Sequence, residues 1–596
     1  MGKSRLLDIL AAPNGAKLNV RNVKEEAIKE FVSANHEQGE ELLEFTTRIS
    51  KAVGLCATFN GYSGRREDLE LIPQAVKALS MRFLWGYFCN TAETLYSSFV
   101  EDFAGSLVKS ISLQKVVSLI LQDIGQDQDL IMCIDELMLA EDGCPYEDMT
   151  NAAKNILSGL VHILDHNLHV HVVVSSLLYS SLSNYLTRSQ RPVMCINLPS
   201  ISPDHYVNIA QDTISAWLED DRELPGNMGG KVKDVVWQGL LDSGGHPRLL
   251  ENTVGYFKRE SGKNRLSSVT LQDLHKSLWS FSVAKSCSAS LPTKLLGALK
   301  CMGSGKVHPI SDLDPFIACG LLLQSATEES ASHALMPPLL IGMLYEHERS
   351  NYSTNLSFQI LEACHHFMSL DTLASRAATA GDFFEKLTAH LLRLRLLLLA
   401  ANNPRKSTFG LKDLLTVDGA TNQERWWNKG KGALNFQMPK KAVFSVTTIS
   451  AKQMQDAVQS KCPDGGAIYI AESDKNEAFD IFIHLPGSNP FIAIQSRFSR
   501  PTTNSSITNG QIQKCLVDFN KFHPYLASKA PAFVVLAFRE AGAQLSAKTF
   551  AAPDVQMSKA CRQVAVLVKE DVMKLIPVSL QGRPQLSSSS TFSSSR

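Results

Sequence analysis

No CxxC pair occurs among the 12 cysteines, which are scattered from Cys56 to Cys561. Several lie in apolar runs, a pattern of reduced, partly buried thiols that predicts an intracellular site of action. Neither sign of charge is in excess: 59 basic residues balance 59 acidic ones. Any nucleic-acid contact must therefore come from a local patch rather than a field of the whole chain. No apolar h-region follows Met1, so no secretory signal is expected. The most apolar helical stretch, Leu391 to Ala401, is interrupted by Arg393 and Arg395 and is too short to span a bilayer, which argues against a membrane partner. Internal repeats and heptads are also missing. What remains is a globular composition, 44% hydrophobic and 20% charged, over 596 residues. That length predicts several domains at roughly 150 residues each.

The stretch around which the rest is organised is Asp129-Leu-Ile-Met-Cys-Ile-Asp-Glu-Leu137. An apolar run that ends in Asp135-Glu136 predicts a buried strand whose last side chains emerge at the carboxyl edge of a sheet, where open α/β sheets bind ligands. There Asp135 can hold Mg²⁺ through its water shell and Glu136 can polarise an attacking water. This is the Walker B pattern, although apolar residues followed by Asp-Glu also end ordinary strands.

Near the start stands Gly2-Lys3-Ser4, followed by the amphipathic Arg5–Leu10. A phosphate-binding loop ends in Gly-Lys-Ser/Thr and runs into a helix. Its lysine reaches the β/γ-phosphates and its hydroxyl binds Mg²⁺. The upstream glycines and the strand that should precede them are missing. Gly2, Lys3 and Ser4 therefore fit either a truncated Walker A motif or a chance tripeptide. A phosphate loop works through successive backbone N–H groups. On the first reading, either the native protein is longer at this end or the NTPase is damaged.

Further strand-like runs at Val53–Asn60, His169–Ser176 and Pro192–Leu198 alternate with helical patterns at Pro73–Leu95 and Asp148–His166, which predicts a parallel sheet. The run to Ser176 ends in small hydroxyls, as a polar sensor strand beside a Walker B strand would. His166, His169 and His171 straddle a loop and a strand, so solvated strand-entry histidines are expected there rather than zinc. Ser202 is positioned to cap a helix with Pro203 in its first turn. The segment to about Lys285 is mostly helical. Within it Gly244-Gly245-His246-Pro247-Arg248 ends one helix and starts another, presenting Arg248 near a helix N-terminus as either a phosphate-reaching or a surface arginine. Leu291–Gln324 reads as helix, turn, helix and suits a small winged-helix-like unit. Gly303-Ser-Gly-Lys306 within it lacks the spacing of a phosphate loop and is expected to be a turn.

From about Asp371 the character changes. Gly381–Arg393 has an amphipathic pattern with Glu385 on it. Arg425-Trp426-Trp427-Asn428-Lys429-Gly430-Lys431 interleaves cations and indoles, which suits either base stacking beside phosphates or a solvated loop. Three strands are expected at Gly466–Ala471, Phe479–Leu485 and Pro490–Arg497. Asp480 starts the second, and Gln495 and Arg497 share one side of the third. Asp480 could ligate Mg²⁺, Gln495 could add a carbonyl oxygen, and Arg497 could neutralise charge on a phosphate. Gln511-Ile-Gln513-Lys514 opens the next helix. A plain hairpin with a surface aspartate is the alternative. The serine-rich stretch Ser587–Arg596 is expected to be disordered.

Leu55-Cys-Ala-Thr-Phe-Asn60, Cys133-Ile-Asp-Glu136, Gly244-Gly-His-Pro-Arg248 and Asp480 with Ile494-Gln495 together resemble the Crinkler and retrotransposon-hot-spot (RHS) group, across nearly the whole chain. The resemblance implies a multidomain α/β protein. A P-loop (AAA/STAND-like) NTPase core without its first strand would span 1–200, and a helical lid with sensor arginine 201–285. A winged-helix-like unit would span 286–350, and a restriction-endonuclease-like PD-(D/E)xK domain 371–578, before a tail at 579–596. It implies ATP and Mg²⁺ as cofactors. Gly2, Lys3, Ser4 and Asp135 would bind nucleotide and metal, Glu136 would act in hydrolysis, and Arg248 would be the sensor. Glu385, Asp480 and Gln495 would form the second metal site. Arg497 stands where a lysine is usual; being always protonated, it preserves charge but not proton transfer. DNA is the implied partner, self-association a further expectation, and the nucleus the implied place of action. The group's secretion header is absent. A catalytically degenerate binding protein and a signalling ATPase remain open beside the enzyme.

Overall fold

The computed structural model describes residues 51–58, 74–89, 96–125, 128–135, 151–175, 228–263, 265–279, 291–304, 306–318, 320–324, 331–349, 355–374, 380–406, 408–415, 426–428, 435–439, 443–472, 479–486, 491–498, 509–522, 524–527, 529, 531–538, 563–567, 569–577 and 580. They form a mixed α/β protein that divides into two compact units, one drawn from 1–199 with 310–318 and the other from 200–309 with 319–596.

The first unit is built on three parallel strands in the order β1-β2-β3: β1 (Val53–Thr58), β2 (Leu130–Asp135) and β3 (Val170–Val174). Parallel strands with short register need crossover helices. These are α1 (Ala75–Leu84), α2 (Tyr96–Ser110) and α3 (Leu113–Ile124) between β1 and β2, then α4 (Asn151–His166) before β3. A single π-helical turn, Trp85–Cys89, follows α1. Ser112 caps α3 by accepting the Lys115 amide at 3.3 Å, and Gly125 ends it at φ 95°. Side-chain alternation splits the sheet into unlike faces. Leu55, Ala57, Leu130, Met132, Ile134 and Val170 pack with the helices into the main apolar cluster. The other face holds, among the described residues, a small cluster of Ala52, Cys56, Ile131, Cys133 and Val173. By the same alternation it also carries Thr58, Asp135, His171 and Ser175.

The second unit begins with α5 (Met228–Asp242), α6 (Pro247–Gly262) and α7 (Leu271–Leu278). The expected break between α5 and α6 is present: Gly244 and Gly245 turn at φ 59° and 76°, and Pro247 opens α6. Next come α8 (Leu291–Ser304), β4 (Val307–Pro309), α9 (Ile310–Ala318, grouped with the first unit), β5 (Leu323–Gln324) and β6 (Ala331–Leu335). The strands pair antiparallel in the order β4-β6-β5. Gly303 and Ser304 complete α8 instead of forming a turn, because Gly303 lies hard against the Leu398 side chain, where a Cβ would not fit. Three long helices follow: α10 (Pro338–Glu348), α11 (Leu356–Ala374) and α12 (Ala380–Asn402). Gly342 on α10 gives the room that the buried His275 ring occupies.

The C-terminal sheet has seven strands in the order β10-β11-β12-β13-β14-β15-β8. In chain order its surroundings are a ribbon of β7 (Thr408–Gly410) with β9 (Asn435–Gln437), α13 (Leu411–Leu415), and edge strand β8 (Trp426–Asn428). Then come β10 (Ser445–Ile449), α14 (Ala451–Gln459), β11 (Ala467–Ala471), β12 (Ile481–His484), β13 (Phe491–Phe498), α15 (Asn509–Phe522), α16 (Pro524–Ala527), β14 (Ala532–Phe538), β15 (Gln563–Leu567) and α17 (Lys569–Leu575). β11-β12-β13 is an antiparallel meander, and β14 and β15 run parallel to β13. One face packs Phe482, Phe491, Ala493, Phe533 and Val535 against α14, α15 and α16. α12 meets β10, β11 and β13 but shares no residue with that cluster, so it lies on the other face.

The helix carrying Glu385 keeps Glu385 half-buried and Lys386 exposed in its first half and runs on beyond the amphipathic stretch, where every residue from Leu391 to Leu398 is buried. Arg393 is accommodated by Glu362 at 2.5 Å and Gln359 at 3.0 Å, and Arg395 by the carbonyls of Leu414 and Gly303. No described helix is long and apolar enough to cross a membrane. Trp426 and Trp427 belong to an edge strand paired with Val564 and Ala565, not to a loop. The runs at 192–198, 202–206 and 587–596 lie outside the described residues.

Candidate functional site

Two centres emerge, one in each unit. In the first, β2 is buried on both sides and delivers Asp135 as its last residue, 3% exposed. β3 runs beside it, and the Ser175 amide donates to the Ile134 carbonyl at 2.8 Å. That bond carries the strand direction one residue further, so the Ser175 hydroxyl donates to Asp135 Oδ1 at 2.6 Å. The expected hydroxyl-ended strand next to the acidic one is thus observed. Thr58 is the register partner of Asp135 on the other side. A carboxylate this buried costs free energy unless it is hydrogen-bonded or paired with a cation. The Ser175 hydroxyl meets part of that need.

Gly2, Lys3, Ser4 and Glu136 lie outside the described residues. Arg248 is the second residue of α6, in its first turn as expected; His246 caps that helix by accepting the Leu249 amide on Nδ1 at 3.3 Å.

At the opposite end of the same strands, His166 is exposed and His169 is 46% exposed, as solvated strand-entry histidines would be, but two of the three rings also meet a carboxylate. His169 Nδ1 lies 3.0 Å and His171 Nε2 3.5 Å from one oxygen of Asp129, which is 4% exposed. Positions two apart on a strand share a face, and a buried carboxylate at the mouth of β2 draws both rings. The aspartate at the strand start was the signal available in the sequence.

The second centre lies where β12 begins and β13 is still paired. The Asp480 backbone is held on both sides: its amide donates to Ile494 O at 2.8 Å, and its carbonyl accepts from Ala471 N at 2.9 Å. Its carboxylate Oδ2 receives Gln495 Nε2 and the Ser496 amide, each at 2.5 Å. Gln495 is 3% exposed and Ser496 9%. Two buried oxygens, Gln495 Oε1 and Ser496 Oγ, have no hydrogen-bond partner among the described residues. An orphaned buried amide oxygen is costly. Turning the amide over would set Oε1 against Oδ2, a repulsion that only a cation between them relieves. The donor set is hard oxygen, which fits Mg²⁺ with several of its waters retained. Among the described residues no three His, Cys, Asp or Glu side chains converge as a metal site; the Asp480 centre holds one carboxylate and one amide. Arg497 continues along β13, in register with Ala537. Glu385 stands half-buried on α12, which covers the opposite face of the sheet. Gln511 and Lys514 lie exposed on α15, which packs on the face that Gln495 shares.

No protein-family model matches the chain, and no curated protein matches it. Among solved structures, a Walker-type ATPase of Pyrococcus abyssi matches at 13% identity and a TM-score of 0.32, over 51% of this chain and 87% of that one. At that level the likeness decides neither family nor activity.

Proposed function

We propose that this chain is an ATP-regulated, Mg²⁺-dependent DNA endonuclease-like effector of the Crinkler/RHS type, acting in a nucleus. The observation that carries the reading is the Asp480 centre: a carboxylate gathered with Gln495 at the joint of two strands, beside a buried amide oxygen with no partner among the described residues. Bound Mg²⁺ would supply charge neutralisation at a phosphate and a water of lowered pKa. Asp480 would hold the ion, Gln495 would offer its Oε1, and Arg497 would balance charge building on the scissile phosphate; Glu385, expected in the same acidic set, lies on α12 over the opposite face of the sheet. In the first unit, Asp135 with Ser175 supports nucleotide binding, with Lys3 and Ser4 on the phosphates and metal and Glu136 in hydrolysis; Arg248, in the second unit, keeps the sensor role that the resemblance implies.

Nicking of supercoiled plasmid in Mg²⁺ or Mn²⁺ tests the reading. Asp480→Ala should abolish the metal-dependent nicking, and equal nicking by that variant ends the assignment.

A second reading is a degenerate member that binds chromatin or protein without turnover. It draws on the same site: Asp480 Oδ2 already accepts two N–H groups, and an arginine replaces the usual lysine. It predicts DNA retention with no nicking in either metal.

A further inference from the structure

β1 and β2 place two cysteines side by side. Cys56 is the register partner of Cys133, and both belong to the small cluster on the second face of the first sheet. Neighbouring strands lie about 4.8 Å apart, within the roughly 4.4–6.8 Å between Cα atoms that a disulfide bridges. The next residues along the same face are Thr58 and Asp135, themselves register partners. We propose that Cys56 and Cys133 are a reversible dithiol–disulfide pair, a modification site one pleat below the Asp135 centre.

The two thiols are unequal in access. Cys133 is fully buried, whereas Cys56 is half-buried. A hydroperoxide therefore reaches Cys56 first. The Cys56 thiolate attacks the peroxide oxygen, the O–O bond breaks, and the leaving alkoxide or hydroxide takes up a proton. Cys56 becomes a sulfenic acid. The Cys133 thiolate, already alongside, attacks that sulfur and expels hydroxide, which takes up the proton that the Cys133 thiol gave up and leaves as water. The sum is two thiols and one hydroperoxide giving one disulfide, one alcohol and one water. Burial of the second thiol shields it from a separate oxidant, so the neighbour is its accessible partner. Drawing the strands together at this row shifts the Thr58–Asp135–Ser175 row above it. Its effect on nucleotide rests on the reading of Asp135 given above; the bond itself does not.

The full chain is treated with hydrogen peroxide under native conditions, alkylated, digested and mapped by mass spectrometry. The expected product is one cross-linked peptide pair joining Cys56 to Cys133, reversed by dithiothreitol and absent in Cys56→Ser. Recovery of both as alkylated thiols, or of Cys56 joined to another cysteine, overturns the pair. ATP binding is measured on reduced and oxidised chain, with several-fold weaker binding expected after oxidation. Equal binding overturns the regulatory consequence. Failure of either form to bind ATP counts against the Asp135 reading and leaves the mapped bond standing.

Discussion

Gln495 shows how much one side chain can decide. It is buried, one end of its amide meets Asp480, and the other end meets no donor among the described residues. Replacing it by glutamate tests what the pocket wants. Gln495→Glu sets two carboxylates together in a buried place, and like charges there resist ionisation of both. The variant should melt lower than the parent in chelator, by about 1–3 kcal/mol in stability for an uncompensated buried group. Added Mn²⁺ should raise its melting temperature more than the parent's. A variant that melts as the parent does with and without Mn²⁺ sinks the cation reading. The proximity of Asp480 and Gln495 was legible in the sequence because each sits beside a short apolar strand separated by a turn. The Ser496 amide that shares Asp480 was not, since a backbone donor leaves no residue-type signature.

At the scale of elements, α12 and its neighbours carry buried charge and buried imidazole together. Arg393 enters the core only because Glu362 and Gln359 of α11 face it. Its presence in an apolar run says that a partner is required, but not which helix supplies it. Stacked against this seam, His366 of α11 and His390 of α12 lie with ring centres 5.4 Å apart. Burial lowers the pKa of His390 to about 4, with His366 and Arg393 adding to the effect. Burial also lowers His366, partly offset by Glu362 and reinforced by Arg393. In β12, burial brings His484 to about 4. Unfolded imidazole titrates near about 6.5. All three are depressed in the fold, so the unfolded chain binds protons first on acidification. Their stability contribution is complete above about pH 6.5 and declines as pH falls toward 4. Urea midpoints at pH 7.5, 6 and 5 should fall in that order, and His484→Phe should flatten the slope. A profile level over that window contradicts the assignment.

For the whole molecule, each unit has a core of its own, built on its own sheet. Met132 is fully buried in the first and Phe533 in the second. Met132→Ala should cost about 2–5 kcal/mol and Phe533→Ala about 3–5 kcal/mol, as cavity-forming changes in close-packed interiors do. Calorimetry of each variant checks this; a loss below about 1 kcal/mol would mean that the site is not a packed core. Strand order is a property of this scale. β8 closes the far edge of the seven-stranded sheet, although some 135 residues separate it from its partner β15. Only three residues long, it has too little periodicity to be seen as a strand.

The apolar runs by themselves determined that β2, β12 and β13 are strands and that Asp135 and Asp480 stand at strand boundaries. Strand formation there follows from local hydrophobic pattern, and each acid's place follows from where that pattern stops. The tertiary structure alone decided what meets each acid: Ser175 at Asp135, the two histidines at Asp129, the Ser496 amide at Asp480, and Cys133 beside Cys56. Those meetings depend on which strands become neighbours and in what register, and pairing between distant segments is chosen by the energy of the whole packed sheet rather than by any one stretch of chain.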